Sequence, residues 1–320
     1  MKILVGILLV FFSVATAWAG NWTPNSSVTI VVPFSAGGNA DIVVRSLADR
    51  LSQEIGQSVV IENRAGAGGT IGAAAVAKAK PDGLTLALTT VSSHSASPVF
   101  YNKTITYNVK NDFEYVITLV GTPKVVIART DVPANSIPSL IKETQKPQAN
   151  YFYGAVNGGV DYLYAEFFKK KANADIKFVP YKGGASAMTD LHGGHIQLMF
   201  DNLPLVLPHV RAGTAKLLAI SWHSRLKEFP EVPTWKELGY PEINYDTWYG
   251  IALPKGADQR IVNSWNRIFN QVLRDKEVTS RLSNHMAYVI GDNPVEARQR
   301  VIDTWQTLEN IASDTKLQRE

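Results

Sequence analysis

The sequence predicts an α/β protein of two lobes, each a mostly parallel sheet flanked by helices. Three observations carry this. An apolar strand, a glycine turn and an amphipathic helix follow one another across residues 28–56. The same order returns at residues 151–171 and 176–191, in a second strand–helix set. Between the sets, an extended apolar run over residues 113–128 breaks at Gly121-Thr122-Pro123, which places a crossing from one set to the other there.

Residues 28–32 are β-branched and wholly apolar but for Thr29, the pattern of a parallel strand buried on both faces. Pro33 stops the pairing and Gly37-Gly38 permit a tight turn. Val43, Leu47, Leu51 and Ile55 recur at four-residue steps and Gly56 stands at the C-cap position, so a helix fills residues 42–56. Free N–H groups at such a helix start point at whatever lies above the turn. The helix dipole adds partial positive charge there, so the site prefers anions. The plainer reading is a tight turn with Asn39 as an N-cap and Asp41 complementing the dipole.

A second strand at 58–62 leads into the glycine-rich loop Arg64-Ala-Gly-Ala-Gly-Gly-Thr70, an alanine-rich helix at 71–80 and a third strand at 84–90, which ends in the polar loop Val91-Ser-Ser-His-Ser95. In the second set, strands fall at 124–129, 151–156, 176–181, 196–201 and 216–221, and helices at 137–144, 161–171 and 185–191. Asn157-Gly158-Gly159 and Lys182-Gly183-Gly184 are its glycine turns. A polar stretch over 222–245 precedes a return strand at 248–254. Two amphipathic helices close the chain, one carrying Ile261, Trp265, Ile268 and Val272. The other starts at Asn293-Pro294, where Glu296 completes a capping box, and continues through Val301, Trp305, Leu308 and Ile311. The first lobe then comprises 20–121 and 244–320, the second 122–243. Ligands of open α/β sheets sit beyond the carboxyl ends of the strands. Two facing lobes make those ends the walls of a cleft, where an acyclic dianion places one carboxylate on each side.

Composition narrows the functions. The chain is 45% hydrophobic and 19% charged, with a net charge of +4. Its 32 basic residues are scattered, with no run longer than Lys169-Lys170-Lys171, so no nucleic-acid surface is expected. Lys2, the apolar run 3–14 and Ala17-Trp18-Ala19 form an export leader, cleaved after Ala19. The absence of cysteine excludes disulfides, thiolate metal sites and a lipid-bearing cysteine. Free solution in a periplasm is the expected location, with full secretion as the alternative.

Catalytic and cofactor motifs are weak. Gly66-Ala-Gly-Gly-Thr-Ile-Gly72 has G-x-G-x-x-x-G spacing, not that of a dinucleotide fingerprint, and close helix–loop packing accounts for it. Ser139-Leu-Ile-Lys142 and Ser224-Arg-Leu-Lys227 match S-x-x-K without the companion motifs. His192 and His195 form a pair with no third ligand in reach. No metal, cofactor or catalysis is expected.

Pro33-Phe-Ser-Ala-Gly-Gly-Asn-Ala-Asp41, Val60-Ile-Glu-Asn-Arg-Ala-Gly-Ala-Gly-Gly-Thr70 and Ala77-Lys-Ala-Lys-Pro-Asp-Gly-Leu-Thr85 resemble the Bug family, the periplasmic substrate-binding proteins of tripartite tricarboxylate transporters. The likeness continues through Val179-Pro-Tyr-Lys-Gly-Gly184, Phe200-Asp-Asn-Leu-Pro204, Arg211-Ala-Gly213, Val232-Pro-Thr234, Glu237-Leu-Gly239 and Trp248-Tyr-Gly250. This resemblance implies a type II periplasmic-binding-protein, or Venus-flytrap, fold and a carboxylate ligand held mainly by backbone N–H groups and bridging waters. It implies first-lobe contacts at Phe34, Ser35, Ala36, Gly37, Gly38, Asn39, Val91 and Ser92. Second-lobe contacts fall at Asn157, Gly158, Gly159, Val160, Asp161, Tyr181, Gly183 and Asp201. The implied partners are the small carboxylate and the membrane subunits of the transporter, met by a monomer. The family usually shows G-x-G-S and a histidine-leucine pair at the second-lobe turn; here Gly159 loses the hydroxyl and Tyr162-Leu163 replaces the pair. Asn157, Asp161 and Tyr162 then define a different selectivity. Two other readings stand beside this one. An exported α/β enzyme predicts turnover of a small anion, and an occupancy sensor would report to a sensor kinase.

Overall fold

The computed structural model describes residues 22–244 and 246–314, so the leader and its cleavage site lie outside the described residues. Strand β1 (Val28–Val32) pairs in parallel with β2 (Val59–Asn63) and β3 (Thr85–Thr90), joined by helices α1 (Asn39–Ile55) and α2 (Thr70–Ala77). Gly56 closes α1 in the left-handed region and donates its N–H to Ser52 O, as the sequence implies. Gly72 starts α2 against Pro33, where a Cβ would lie 2.9 Å from the proline Cα; this is the close packing that its glycines serve.

After β3 the sequence expectation of a polar loop fails. Ser92–Ala96 forms one π-helical turn that runs into the short helix α3 (Ser97–Phe100), and Ser93, His94, Ser95 and Ser97 are fully buried. Polarity misled here because the serine hydroxyls find partners in the interior: Ser93 at Thr90 and His94, Ser95 at the Val301 carbonyl and Ser97 at the Gly68 carbonyl. Strand β4 (Phe113–Thr122) then crosses at Pro123 into β5 (Lys124–Arg129) of a second sheet.

That sheet adds α4 (Ile137–Thr144), β6 (Tyr151–Val156), α5 (Val160–Ala172), β7 (Ile176–Tyr181), α6 (Gly184–Gly193), β8 (Leu198–Asn202), α7 (Leu203–Arg211) and β9 (Ala215–Ser221). The hydroxyls of Ser136 and Ser139 build the capping box of α4, the structural task of one S-x-x-K serine. The chain returns at β10 (Thr247–Pro254) and finishes with α8 (Gln259–Leu273), α9 (Lys276–Asn284), β11 (Tyr288–Val289) and α10 (Pro294–Asp314). Asn293 accepts from the N–H groups of Val295 and Glu296, while the Glu296 carboxylate accepts from Asn293 N–H, completing the expected box.

The first sheet has the order β11-β4-β10-β3-β1-β2 and the second β7-β6-β8-β5-β9. Both are mixed where the strand–turn–helix repeats alone suggest a mostly parallel sheet. The parallel pairs are the ones those repeats build; β5 and β10, each delivered from the other lobe, pair antiparallel. Thr122 and Thr247 are register partners, so the two crossings between lobes lie side by side. Helices α7 and α9 escape the sequence reading. Pro204 and Pro208 interrupt the helical pattern of α7, and α9 buries only Val278 and Leu282.

Candidate functional site

The carboxyl ends of β1, β3, β6 and β8 converge on a cavity of about 40 Å³ between the lobes, room for a few waters. The first lobe lines it with Phe34, Gly38, Asn39, Ala40, Thr90, Ser92, Thr247 and Tyr249. The second supplies Val156, Asp161, Gly183, Gly184, Asp201 and Asn202. Seven residues implied by the sequence are therefore together: Phe34, Gly38, Asn39, Ser92, Asp161, Gly183 and Asp201.

The others stand off the cavity wall. Ser35, Ala36, Gly37, Val91, Asn157, Gly158, Gly159 and Val160 are not among its lining residues. Tyr181 turns away, its hydroxyl donating to Asp190 Oδ2 at 2.6 Å on α6. Lys182 is exposed. Among the described residues no group of three or more His, Asp or Glu is placed to hold a metal ion, and His192 stacks on His209 at the surface, 4.6 Å between ring centres.

Local chemistry explains the first turn. Gly38, not Asn39, is the N-cap of α1, and Asn39 is its first helical residue. Asp41 folds back on the turn, accepting from Gly37 N–H (2.9 Å), Arg45 Nε (2.8 Å) and Asn63 Nδ2 (3.1 Å). Burial pushes its pKa up, but these hydrogen bonds outweigh burial and hold it below the usual carboxylate value. With Asp41 engaged, the first-turn N–H groups of Asn39 and Ala40 face the cavity side without a protein acceptor among the described residues.

Hydrogen bonds between the lobes tie them around this space, among them one from the Tyr101 hydroxyl to the Asn157 carbonyl (3.3 Å). Asn39 Nδ2 donates to Asp201 Oδ1 (2.5 Å), and Asn39 Oδ1 accepts from Leu205 N–H (2.8 Å). Asn202 Nδ2 donates to the Tyr249 hydroxyl (2.8 Å), and Val160 N–H donates to Ser92 Oγ (3.1 Å). The Ser97 hydroxyl lies 3.0 Å from the Gly158 carbonyl. Ser92 also resolves the missing hydroxyl at position 159. A Cβ on Gly159 would sit 3.3 Å from Ser92 Oγ, so a first-lobe hydroxyl occupies the space that a second-lobe side chain would fill.

Charge is balanced within the second lobe. Lys124, the first residue of β5, forms a buried ion pair with Asp161 and stands 3.4 Å from Asn202 Oδ1, with its Nζ 5.3 Å from the centre of the Tyr164 ring. Asp201 Oδ1 accepts from Asn202 N–H (2.7 Å) as well as from Asn39. Its other oxygen packs on Gly184, where a Cβ would lie 2.1 Å away. Burial, reinforced by the Asp161 charge, raises the Asp201 pKa to about 7. The folded protein therefore holds a proton there that the unfolded chain releases near pH 4, and stability falls as pH rises from about 4 to about 7, by at most about 1.4 kcal/mol per pH unit. With solute present to hold the lobes closed, Asp201→Asn is expected to flatten that part of the profile relative to the parent in urea unfolding at stepped pH. Parallel profiles for the two proteins would place the proton elsewhere.

Sequence reasoning missed Lys124, Thr90, Asn202, Thr247 and Tyr249. Thr90 and Asn202 are strand-end residues, and the rule that ligands sit beyond the carboxyl ends of the strands reaches them. Lys124 is signalled only by a charge at the start of a strand whose next four residues are apolar. The Thr247 hydroxyl is buried without a protein partner among the described residues, in the wall of the cavity.

A cavity between two α/β lobes, lined in part by polar groups and with paired crossing strands behind it, is the arrangement of a two-lobed solute-binding protein. Residues 43–315 match the family described as the tripartite tricarboxylate transporter family receptor, TctC. Protein BugT of Bordetella pertussis is 33% identical over 312 residues, covering 97% of this chain and 96% of BugT. MatC from Rhodopseudomonas palustris, solved with bound malate, superposes with a TM-score of 0.85 at 29% identity, covering 90% of this chain and 99% of MatC. A second R. palustris protein, solved with adipate, gives a TM-score of 0.86 at 33% identity, covering 92% of this chain and 98% of the other. The chain belongs to the TctC family of tripartite tricarboxylate transporter receptors, the family that includes the Bug proteins.

Proposed function

We propose that this chain is an exported periplasmic receptor that captures a small dicarboxylate between its lobes and hands it to the membrane subunits of a tripartite tricarboxylate transporter, without catalysis. The lobes divide as 20–121 with 244–320, and 122–243, and the mature protein starts after Ala19. One observation carries the reading. The first-turn donors of α1, the buried hydroxyl of Thr247 and the start of α5 meet at one space between the lobes. Such donors suit an acceptor-rich anion, and charge-assisted hydrogen bonds to it contribute roughly 1.5–3 kcal/mol each. Asp161 does not oppose the anion, because Lys124 neutralises it. Relatives of the same fold hold malate and adipate, which agrees with this donor set. A cavity of about 40 Å³ is too small for either acid, so binding requires the lobes to part first.

Thermal unfolding against mono-, di- and tricarboxylates, with phosphate, sugars and amino acids as controls, tests the proposal. Ligand at about 100 times its Kd adds about 2.7 kcal/mol to the native state, so one dicarboxylate is expected to raise Tm clearly. Shifts with sugars or phosphate alone would overturn it.

A further inference from the structure

Thr90 closes β3 and lines the cavity, and behind it stands a buried polar chain that the capture of a dicarboxylate does not by itself explain. Thr90 Oγ1 accepts from Ser93 N–H at 3.0 Å and lies 3.0 Å from Ser93 Oγ. Ser93 Oγ in turn lies 2.9 Å from Nδ1 of His94. His94 is fully buried beside Phe113, 4.8 Å between ring centres, and its Nε2 has no partner among the described residues.

Proton bookkeeping then selects one arrangement. Burial holds the His94 pKa down at about 3, so the ring is neutral and carries a single N–H. Were that hydrogen on Nε2, a buried donor would be left unpaired. Buried N–H groups are rarely left so, whereas a buried acceptor lone pair is left more often. With the hydrogen on Nδ1, the ring donates to Ser93 Oγ. The Ser93 hydroxyl hydrogen must then turn to Thr90 Oγ1, which already accepts from Ser93 N–H. Both acceptor positions of Thr90 are filled, its Oγ1 has no other protein partner among the described residues, and the residue lines the cavity, so its own hydrogen is left for whatever fills that space.

We propose that His94 and Ser93 fix the Thr90 hydroxyl as an obligate hydrogen-bond donor to the bound solute, so that the solute must present an acceptor oxygen at the end of β3. Thr90 is then a specificity-determining residue, and His94 a positioning residue that never touches the ligand. A hydroxyl left free to rotate would serve donors and acceptors alike; this one discriminates against a solute with an N–H or O–H at that point. The inference rests on the cavity being the solute site, but its first test does not.

Long-range 1H–15N spectra of the ligand-free protein report the imidazole tautomer directly. The His94 resonances, identified among the six histidines by their loss in His94→Gln, are expected to show hydrogen on Nδ1 from pH 5 to pH 8. Hydrogen on Nε2 would overturn the proposal whatever the protein binds. The second arm uses succinate, malate and adipate as separate probes in calorimetric titration. Thr90→Val is expected to weaken the probe that binds by at least about tenfold, and Thr90→Ser by no more than about threefold. His94→Leu removes the donor to Ser93 and is expected to lower affinity, while His94→Gln, which keeps an N–H, restores most of it. Equal affinity in Thr90→Val and the parent would overturn the donor role. Failure of all three probes in the parent, beside an Nδ1 tautomer, would count against the dicarboxylate reading and leave the proton order standing.

Discussion

Replacing Lys124 with methionine is expected to lower the unfolding free energy by about 3–5 kcal/mol, the usual consequence of removing one partner of a buried ion pair. Lys124 and Asp161 are both buried, with side-chain exposures of 4% and 9%, so neither charge is more than marginally hydrated while the lobes are closed. The loss comes from the Asp161 carboxylate left behind, not from the Coulomb energy of the pair. The double variant Lys124→Met with Asp161→Asn should therefore recover a large part of the loss, because it removes both charges together. Urea unfolding of the parent, the two single variants and the double variant closes the cycle. Destabilisation of Lys124→Met below about 1 kcal/mol would mean that water reaches the pair. Lys124 also holds the Asp201 pKa down, so the same substitution should move the pH-dependent loss of stability to higher pH.

The fold was legible where local chemistry and topology coincide. Each strand–glycine–helix unit announces itself through a run of β-branched residues, a turn that needs glycine and a four-residue apolar step. Those units build the parallel part of each sheet and set Gly38, Asn39, Asp161 and Gly183 at the cleft. Residues that reach the site only through the crossing strands were not legible. Tyr249 and Thr247 sit early in a strand that arrives from the other lobe, more than 100 residues after the strand it joins, and nothing local marks them as neighbours of Asp201. The buried Ser92–Ala96 turn was hidden for the opposite reason. Its composition is that of a surface loop, and hydrogen bonds among Thr90, Ser93 and His94, with those from Val160 N–H to Ser92 and from Ser95 to the Val301 carbonyl, make burial tolerable. Gly159 shows how far a motif departure can be read. The sequence registers the loss of a hydroxyl, and the three-dimensional structure shows Ser92 of the other lobe in its place.

Asn39→Ala is expected to weaken solute binding by roughly 30- to 1,000-fold while leaving the unfolding of the ligand-free protein within about 1 kcal/mol of the parent. The effect depends on which state each bond belongs to. The Asn39 amide makes two bonds, from Nδ2 to Asp201 and from Leu205 N–H to Oδ1, and both join the lobes. When the lobes part, Asp201 and Leu205 N–H regain water, so the open protein loses little by the substitution. When they close, both groups are sealed without a partner, at a combined cost of about 2–4 kcal/mol that falls wholly on the closed, solute-bound form. Asn39 is also a first-turn residue, but its backbone N–H survives the change to alanine, which is a better helix former. Titration calorimetry gives the affinity, and small-angle scattering with and without solute reports closure directly. A variant that still binds tightly and contracts like the parent would show that closure is driven by the solute's own contacts with both lobes. A variant that loses stability as much as affinity would show instead that these bonds hold the ligand-free protein shut, and that opening is the step the solute must wait for.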